Sequence, residues 1–425
     1  MSEHVVLGIG ERLGHEVPLA LSCGDRRHHL YAVGKSGTGK TTLLRNLLLQ
    51  DIEAGRGVGI IDPHGDLAAD LLDHIPRWRT EDVVYFDPSD LEHPIGINLV
   101  GQVPPDRRHL VASGIVGAFK GIWGDSWGPR LEYILYAAVA AILDCENVSL
   151  LGIQRMLSDE KYRAWVVRQI KDPMVHSFWV NEFERYDSRF LQEAVAPIQN
   201  KVGQLLMSPH LRNIFGQVRS RIDARHMMDN GKIFIANLSK GKLGEDKANL
   251  LGALLVTQFQ LAAMARADVP EGDRRDFFLS VDEFQSFVSD SFASILSEAR
   301  KYRLCLTLSH QYLNQLKPVI ADAVMGNVGS LVVFRVGHED AKAFEQAFGE
   351  THKASQFSGL SNGEVCAKLL SDGQDTEPLI GRTFPQQGTR HGRRDAIIFR
   401  SREKYSTSRS KIEGKIKQWL ALIHY

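Results

Sequence analysis

Residues Gly34-Lys35-Ser36-Gly37-Thr38-Gly39-Lys40-Thr41 follow the pattern GxxxxGK[ST], and few folds can present such a run usefully. Here it joins an apolar run, His28 to Val33, to a helical pattern from Lys40 to Ala54, the strand–loop–helix setting the motif requires. Glycines let backbone N–H groups turn inward around phosphates, and the following helix aims its N-terminus at the same charge. Lys40 is expected to reach the β- and γ-phosphates of ATP and Thr41 to bind Mg²⁺. With Thr42 in the same helical turn, the candidate nucleotide contacts run from Gly34 to Thr42.

The rest of the chain alternates apolar runs with helical patterns, the signature of an α/β protein with a central, mainly parallel sheet. After the P-loop strand come strand patterns at Gly57 to Asp62 and Val83 to Asp87. From about Pro104 to Arg225 the periodicity turns helical, as in Ile134, Leu135, Ala138 and Ile142, then Leu205, Leu206 and Leu211. Strand patterns resume at Lys232 to Leu238, Phe277 to Asp282, Leu304 to His310 and Leu331 to Val336. The expected organisation is an α/β nucleotide domain split into 1–104 and 226–388, an inserted all-helical domain at 105–225, and a basic tail at 389–425. After Gly349 a hairpin is expected to finish the sheet edge.

A hydrolase also needs an acid to orient the metal and a base for water. The apolar run Phe277-Phe278-Leu279-Ser280-Val281 ends in Asp282 and Glu283, which suit those two roles. With other strands between this one and the P-loop strand, the pattern fits RecA-like motors better than GTPase switches or kinases. The next strand ends in Ser309-His310-Gln311, where Gln311 is either a γ-phosphate sensor or a polar strand end. Upstream, Arg300 is either a finger for an adjacent subunit's site or an ordinary surface residue.

In these segments the chain resembles the HerA/FtsK superfamily of DNA-pumping ATPases, and more narrowly the TraG-type coupling proteins of conjugation and type IV secretion. The resemblance is carried by YAVGKSGTGKTTLLRNLL, IIDPHGDLAADLL, WGPRLEYIL, DFFLSVDEFQSF, LSEARKYRLCLTLSHQYLNQL and GNVGSLVVFRVGHEDA. It implies a RecA-like P-loop ATPase that assembles as a hexameric ring and moves DNA, single- or double-stranded, with ATP and Mg²⁺. It also implies that Arg300, eleven positions before Gln311, acts in trans, and that 105–225 meets a relaxase-like or secretion-system protein. Asp62 of the IIDP segment is expected either near the active site or as a turn cap before Pro63. The alternative function is a recruiting adaptor or a protein-handling ATPase of a secretion system.

Lys+Arg and Asp+Glu both number 51, so any DNA contact must come from a local patch. Lys240 and Lys242 between glycines are either channel residues or a solvated connection. Trp123 and Trp127 either stack on bases or pack internally. The tail from Thr389 to Tyr425 holds ten Arg or Lys against three acids, reading as a solvated helix or a nucleic-acid contact. Cys23, Cys145, Cys305 and Cys366 show no CxxC pair, which fits a reducing compartment without a zinc site. Coupling proteins of this type usually carry N-terminal transmembrane helices. Here Leu131 to Leu143 and Leu250 to Ala265 both fall short of the roughly 20 apolar residues a span needs. The expectation is a cytoplasmic protein with no integral membrane segment.

Overall fold

The computed structural model describes residues 3–288 and 292–421; the last four residues of the expected tail, 422–425, lie outside the described residues. In chain order the strands are β1 His4–Arg12, β2 His15–Ser22, β3 Leu30–Val33, β4 Gly57–Asp62, β5 Val83–Phe86, β6 Ile233–Asn237, β7 Phe277–Val281, β8 Leu304–His310 and β9 Ser330–Val333. They are followed by β10 Glu364–Lys368, β11 Leu370–Ser371, β12 Gln374–Asp375 and β13 Leu379–Thr383. All but β11 and β12, which form a small hairpin, join one eleven-stranded sheet in the order β2-β1-β13-β10-β9-β3-β8-β7-β4-β6-β5. From β9 through β5 every pairing is parallel. The remaining pairs, β9–β10, β10–β13, β13–β1 and β1–β2, are antiparallel.

The parallel part is the α/β sheet expected from the apolar runs. Strands β3, β4, β6, β7 and β8 are buried along their whole lengths, as strands covered on both faces must be. Leu44, Leu48, Ile60, Leu71, Ile235 and Phe278 belong to one apolar cluster. Leu43, Leu47, Ala32, Val332 and Phe334 belong to a second, and the helix Lys40–Glu53 contributes to both. The segment after Gly349 does supply strands, but they lie within the sheet. β10 and β13 sit between β9 and β1, and the edge is finished by the β1–β2 hairpin.

The chain divides into two compact units. One comprises 1–86, 224–239 and 262–400; the other comprises 87–223, 240–261 and 401–425. The first unit holds the whole large sheet. The second is helical among its described residues, with helices that include Arg108–Trp123, Pro129–Leu143 and Arg409–Ala421. Its core contains the expected Ile134, Leu135, Ala138, Ile142, Leu205, Leu206 and Leu211, all buried. Two segments remote in sequence, 240–261 and 401–425, belong to this unit because they bury their own apolar stripes there: Leu250, Leu254 and Leu255 in one, Ile412 and Ile416 in the other.

Candidate active site

The carboxyl ends of β3, β8, β7 and β4 are neighbours in the sheet, with strands about 4.8 Å apart. In that order they present the Gly34–Thr41 loop, Gln311, the Asp282–Glu283 pair and Asp62. This is the rim where open parallel sheets bind ligands.

The loop is tied to both adjacent strands. Gly34 N donates to His310 O at 3.3 Å, and Lys35 N donates to Arg335 O at 2.9 Å. A Cβ on Gly34 would lie 2.5 Å from Phe334 Cβ, so the loop packs on that ring only as glycine. Gly39 adopts φ 123° as N-cap of the helix Lys40–Glu53 and offers no side-chain acceptor. The first-turn N–H groups are thereby left for an anion. Thr38 Oγ1 donates to Lys35 O at 2.7 Å. Lys40 Nζ donates to Gly34 O at 2.5 Å and Lys35 O at 3.0 Å. Burial pulls the Lys40 ammonium down from its ordinary pKa, while Glu283 and Asp282 act against that shift. Thr41 is exposed on the first turn.

Asp282 continues β7, its N–H donating to Ile61 O at 3.1 Å. Its Oδ1 accepts both the Ser309 hydroxyl and, at 3.1 Å, the Glu283 N–H. Burial pushes its carboxyl pKa up; the Ser309 hydrogen bond opposes this, and the charges of Asp62 and Glu283 add to it. Glu283 occupies the left-handed region at φ 48°, ψ 48°. Gln311 Nε2 donates to its Oε1 at 3.0 Å and Gln285 Nε2 to its Oε2 at 2.5 Å. Sequence reading found Gln311 but missed Ser309 and Gln285; the hydroxyl two residues before Gln311 on the same strand was the available signal. Asp62 is the turn cap: Oδ1 accepts His64 N–H at 2.8 Å and Oδ2 accepts Ala68 N–H at 2.9 Å. It is also close enough to Asp282 to raise its pKa, so both expected placements hold at once.

The donor set suits a nucleoside triphosphate with a hard cation: uncapped helix N–H groups, one ammonium, one hydroxyl and a carboxylate. Among the described residues there is no group of three or more His, Cys, Asp or Glu that could hold a metal by itself. Arg300 lies elsewhere. Its Nη1 is 3.1 Å from His28 Nδ1, at the opposite rim of the sheet, before the start of β3. The seven residues of β8 separate it from Gln311, roughly 23 Å of extended chain.

Comparison with known proteins gives the same picture of the fold. Residues 276–380 match the family model described as the TraM recognition site of TraD and TraG. The bacterial conjugative coupling protein TrwBdeltaN70 superimposes with a TM-score of 0.63 at 16% identity, over 92% of this chain and 90% of that one. TrwB in complex with ADP and Mg²⁺ gives 0.61 at 16% identity, covering 89% of each chain. The chain shares the fold of TrwB. VirB4 of Thermoanaerobacter pseudethanolicus follows at 0.56 and 15% identity, over 89% of this chain and 96% of that one. No curated protein matches the chain.

The family model described as a TraM recognition site falls on 276–380, whereas the sequence reading assigned partner contact to 105–225. Lys240 and Lys242 lie in the short helix Lys240–Leu243; Lys240 pairs with Glu245 at 3.3 Å, and Lys242 is exposed. Trp123 and Trp127 stack with centroids 6.3 Å apart, Phe119 stacks on Trp123 at 6.0 Å, and Trp127 Nε1 donates to Glu132. These rings are thus packed on one another. The four cysteines are free thiols. One described helical stretch, Glu245–Asp268, is long and apolar enough to cross a membrane, but 67% of its most apolar window is buried inside the protein.

Proposed function

We propose that this chain is a Mg²⁺-dependent ATPase that moves DNA as a coupling-protein motor, working as a ring of copies. The observation that carries the reading is the convergence of Lys40, Asp282, Glu283 and Gln311 on adjacent strand tips. Two solved structures with this fold are TrwB bound to ADP and Mg²⁺ and TrwB bound to a non-hydrolysable ATP analogue.

In this reading Lys40 and the N–H groups of Gly37 to Thr42 hold the β- and γ-phosphates. Thr41 and Asp282 would hold Mg²⁺, which when bound offsets charge on the phosphate oxygens. Ser309 and the Glu283 N–H both donate to Asp282 Oδ1, which orients the carboxylate that would help hold the metal. Glu283 accepts the proton of the attacking water. Gln311 ties that carboxylate to the tip of β8, so a change at the γ-phosphate position is felt along a second strand. Arg300 completes the site of the next copy. Residues 105–225 form the body of an inserted helical domain, and Lys240 and Lys242 contact DNA phosphates. The match of 276–380 to a recognition-site family supports a protein partner as well, with recruitment as a second role.

The test is ATP hydrolysis with and without single- and double-stranded DNA at two salt concentrations. Stimulation that weakens with salt is expected, because phosphate contacts release counterions. Basal turnover indifferent to both forms of DNA would leave the recruiting role and remove the DNA motor.

A further inference from the structure

The basic C-terminal stretch spends much of its charge on local pairing. Arg394 pairs with Asp73, Arg402 with Asp90, and Arg409 with both Glu92 and Glu413. Lys411 and Lys415 are different. They stand one turn apart on the helix Arg409–Ala421, exposed, with no hydrogen bond or ion pair to either side chain among the described residues. The same holds for Arg219 and Arg221 in the loop that precedes the helix Ala224–Asp229. These four cations rim one cleft of about 470 Å³ inside the helical unit, and no acidic side chain lines it among the described residues. That volume lies in the range of about 300–1,000 Å³ typical of ligand clefts.

The floor is apolar. Its accessible part is Val218, 41% exposed, from the loop and the Trp419 ring at one end, with Ile412 and Ile416, 2% and 6% exposed, packed beneath. Trp419 is held in place, with the Arg155 guanidinium 4.9 Å from its centroid and Tyr162 edge-on at 5.9 Å. The acid nearest in sequence on this helix, Glu413, is engaged by Arg409 and by Asn213 Nδ2.

We propose that this cleft docks an acidic peptide segment of a partner protein, one that carries a bulky apolar side chain between carboxylates. Four cations without counter-charges attract an anion. The exposed Val218 and the Trp419 ring beside them gain from an apolar group removed from water. A nucleic-acid strand satisfies the rim but sets sugar and phosphate against Val218. One face of Trp419 is already covered by Arg155, which removes that side for base stacking. A peptide with carboxylates flanking Leu or Phe satisfies rim and floor together. The proposal extends the recruiting role given above to a defined surface of the helical unit, and its test does not depend on ATP turnover.

The test is fluorescence anisotropy of the full chain with three labelled probes: a twelve-residue Asp/Glu peptide with a central Leu-Phe pair, its twin with Ser-Ser, and a twelve-nucleotide oligo-dT. The Leu-Phe peptide should bind about tenfold more tightly than the Ser-Ser twin, and also more tightly than oligo-dT. Two charge reversals, Lys411→Glu with Lys415→Glu and Arg219→Glu with Arg221→Glu, should each weaken it by about tenfold or more. Thermal melting followed by circular dichroism checks that each variant is folded, and if the helix variant fails, the exposed-loop variant carries the test. Equal binding of both peptides would make the surface purely ionic and overturn the proposal. Tighter binding of oligo-dT, lost in the same variants, would make it a nucleic-acid contact. Absent peptide binding, or binding untouched by either reversal, would equally overturn it.

Discussion

Glu283 is held in a backbone conformation that side chains with a Cβ seldom adopt, at a cost of about 1–3 kcal/mol. In that geometry one carboxylate oxygen accepts from Gln311 at the end of β8 and the other from Gln285, two residues along its own turn. Replacing Glu283 by Gln keeps the shape and removes the basic oxygen. ATP turnover should fall by roughly 10²- to 10⁴-fold while a fluorescent ATP analogue still binds, and unchanged phosphate release would remove Glu283 as the base. Ser309 acts one step further out, through the Asp282 oxygen it donates to. Ser309→Ala should raise the Mg²⁺ concentration for half-maximal hydrolysis by about 10- to 100-fold, with turnover recovering at saturating Mg²⁺. A Mg²⁺ titration superimposable on that of the wild type would show that the hydroxyl does not position the carboxylate.

At the scale of the elements, β3 and β8 are joined through two buried histidines. Tyr31 OH lies 2.9 Å from His310 Nδ1 with the rings stacked, and His29 Nδ1 accepts the Leu306 N–H at 3.1 Å. Since His29 Nδ1 accepts, its Nε2 carries the proton and donates to Leu296 O. Burial lowers His310 to about 3, aided by the charge of Lys40, and lowers His29 to about 4. Unfolded, both titrate near 6.5. Between these values the unfolded chain binds the extra protons, so stability is fully present above pH of about 6.5 and is lost as pH falls toward 4. Each histidine contributes a slope of about 1.4 kcal/mol per pH unit in that window. Urea unfolding at pH 7 and pH 5 should therefore show a smaller loss for His310→Phe than for the wild type. An equal loss would mean that His310 is already charged in the folded state. Asp282, whose raised pKa works in the opposite direction, is common to both proteins and drops out of the difference.

These same elements show what a sequence reveals and where it stops. β4, β6, β7 and β8 were legible because strands buried on both faces are continuous apolar runs, and the strand–loop–helix around Gly34–Thr41 was legible because its conformation is local. The β1–β2 hairpin was not. Its alternation is broken by a register shift between Val6 and Gly8, and half its residues face solvent. The run Leu331 to Val336 was read three residues too far at its end: Phe334 N–H still donates to Val33 O at 2.8 Å, but its side chain packs beneath Gly34 and the strand ends at Val333. Ser309 on Asp282 joins residues 27 apart, and no periodicity encodes such a pair. The place of residues 240–261 and 401–425 in the helical unit is of the same kind, fixed only when remote apolar stripes find one another.

For the proposed ring the decisive residue is Arg300, because within one chain it lies away from the Gly34–Thr41 loop. It rests against His28 at the rim where the parallel strands begin, whereas Lys40 and Glu283 stand where they end. A guanidinium so placed serves ATP turnover only if another copy's site is brought to it, through a head-to-tail contact that repeats and closes into a ring. Arg300→Ala should then lose roughly 10³-fold or more in turnover. Mixing it with the equally inactive Glu283→Gln should restore activity, because one partner keeps the base and the other keeps the arginine. In a random equal mixture about a quarter of the interfaces join an intact site to an intact arginine, which sets the scale of the recovery. Sedimentation of each variant checks that the assembly survives the substitution. Mixed rings of normal size without recovery would place Arg300 outside the reaction. Recovery near the expected fraction would show that hydrolysis belongs to the interface between copies.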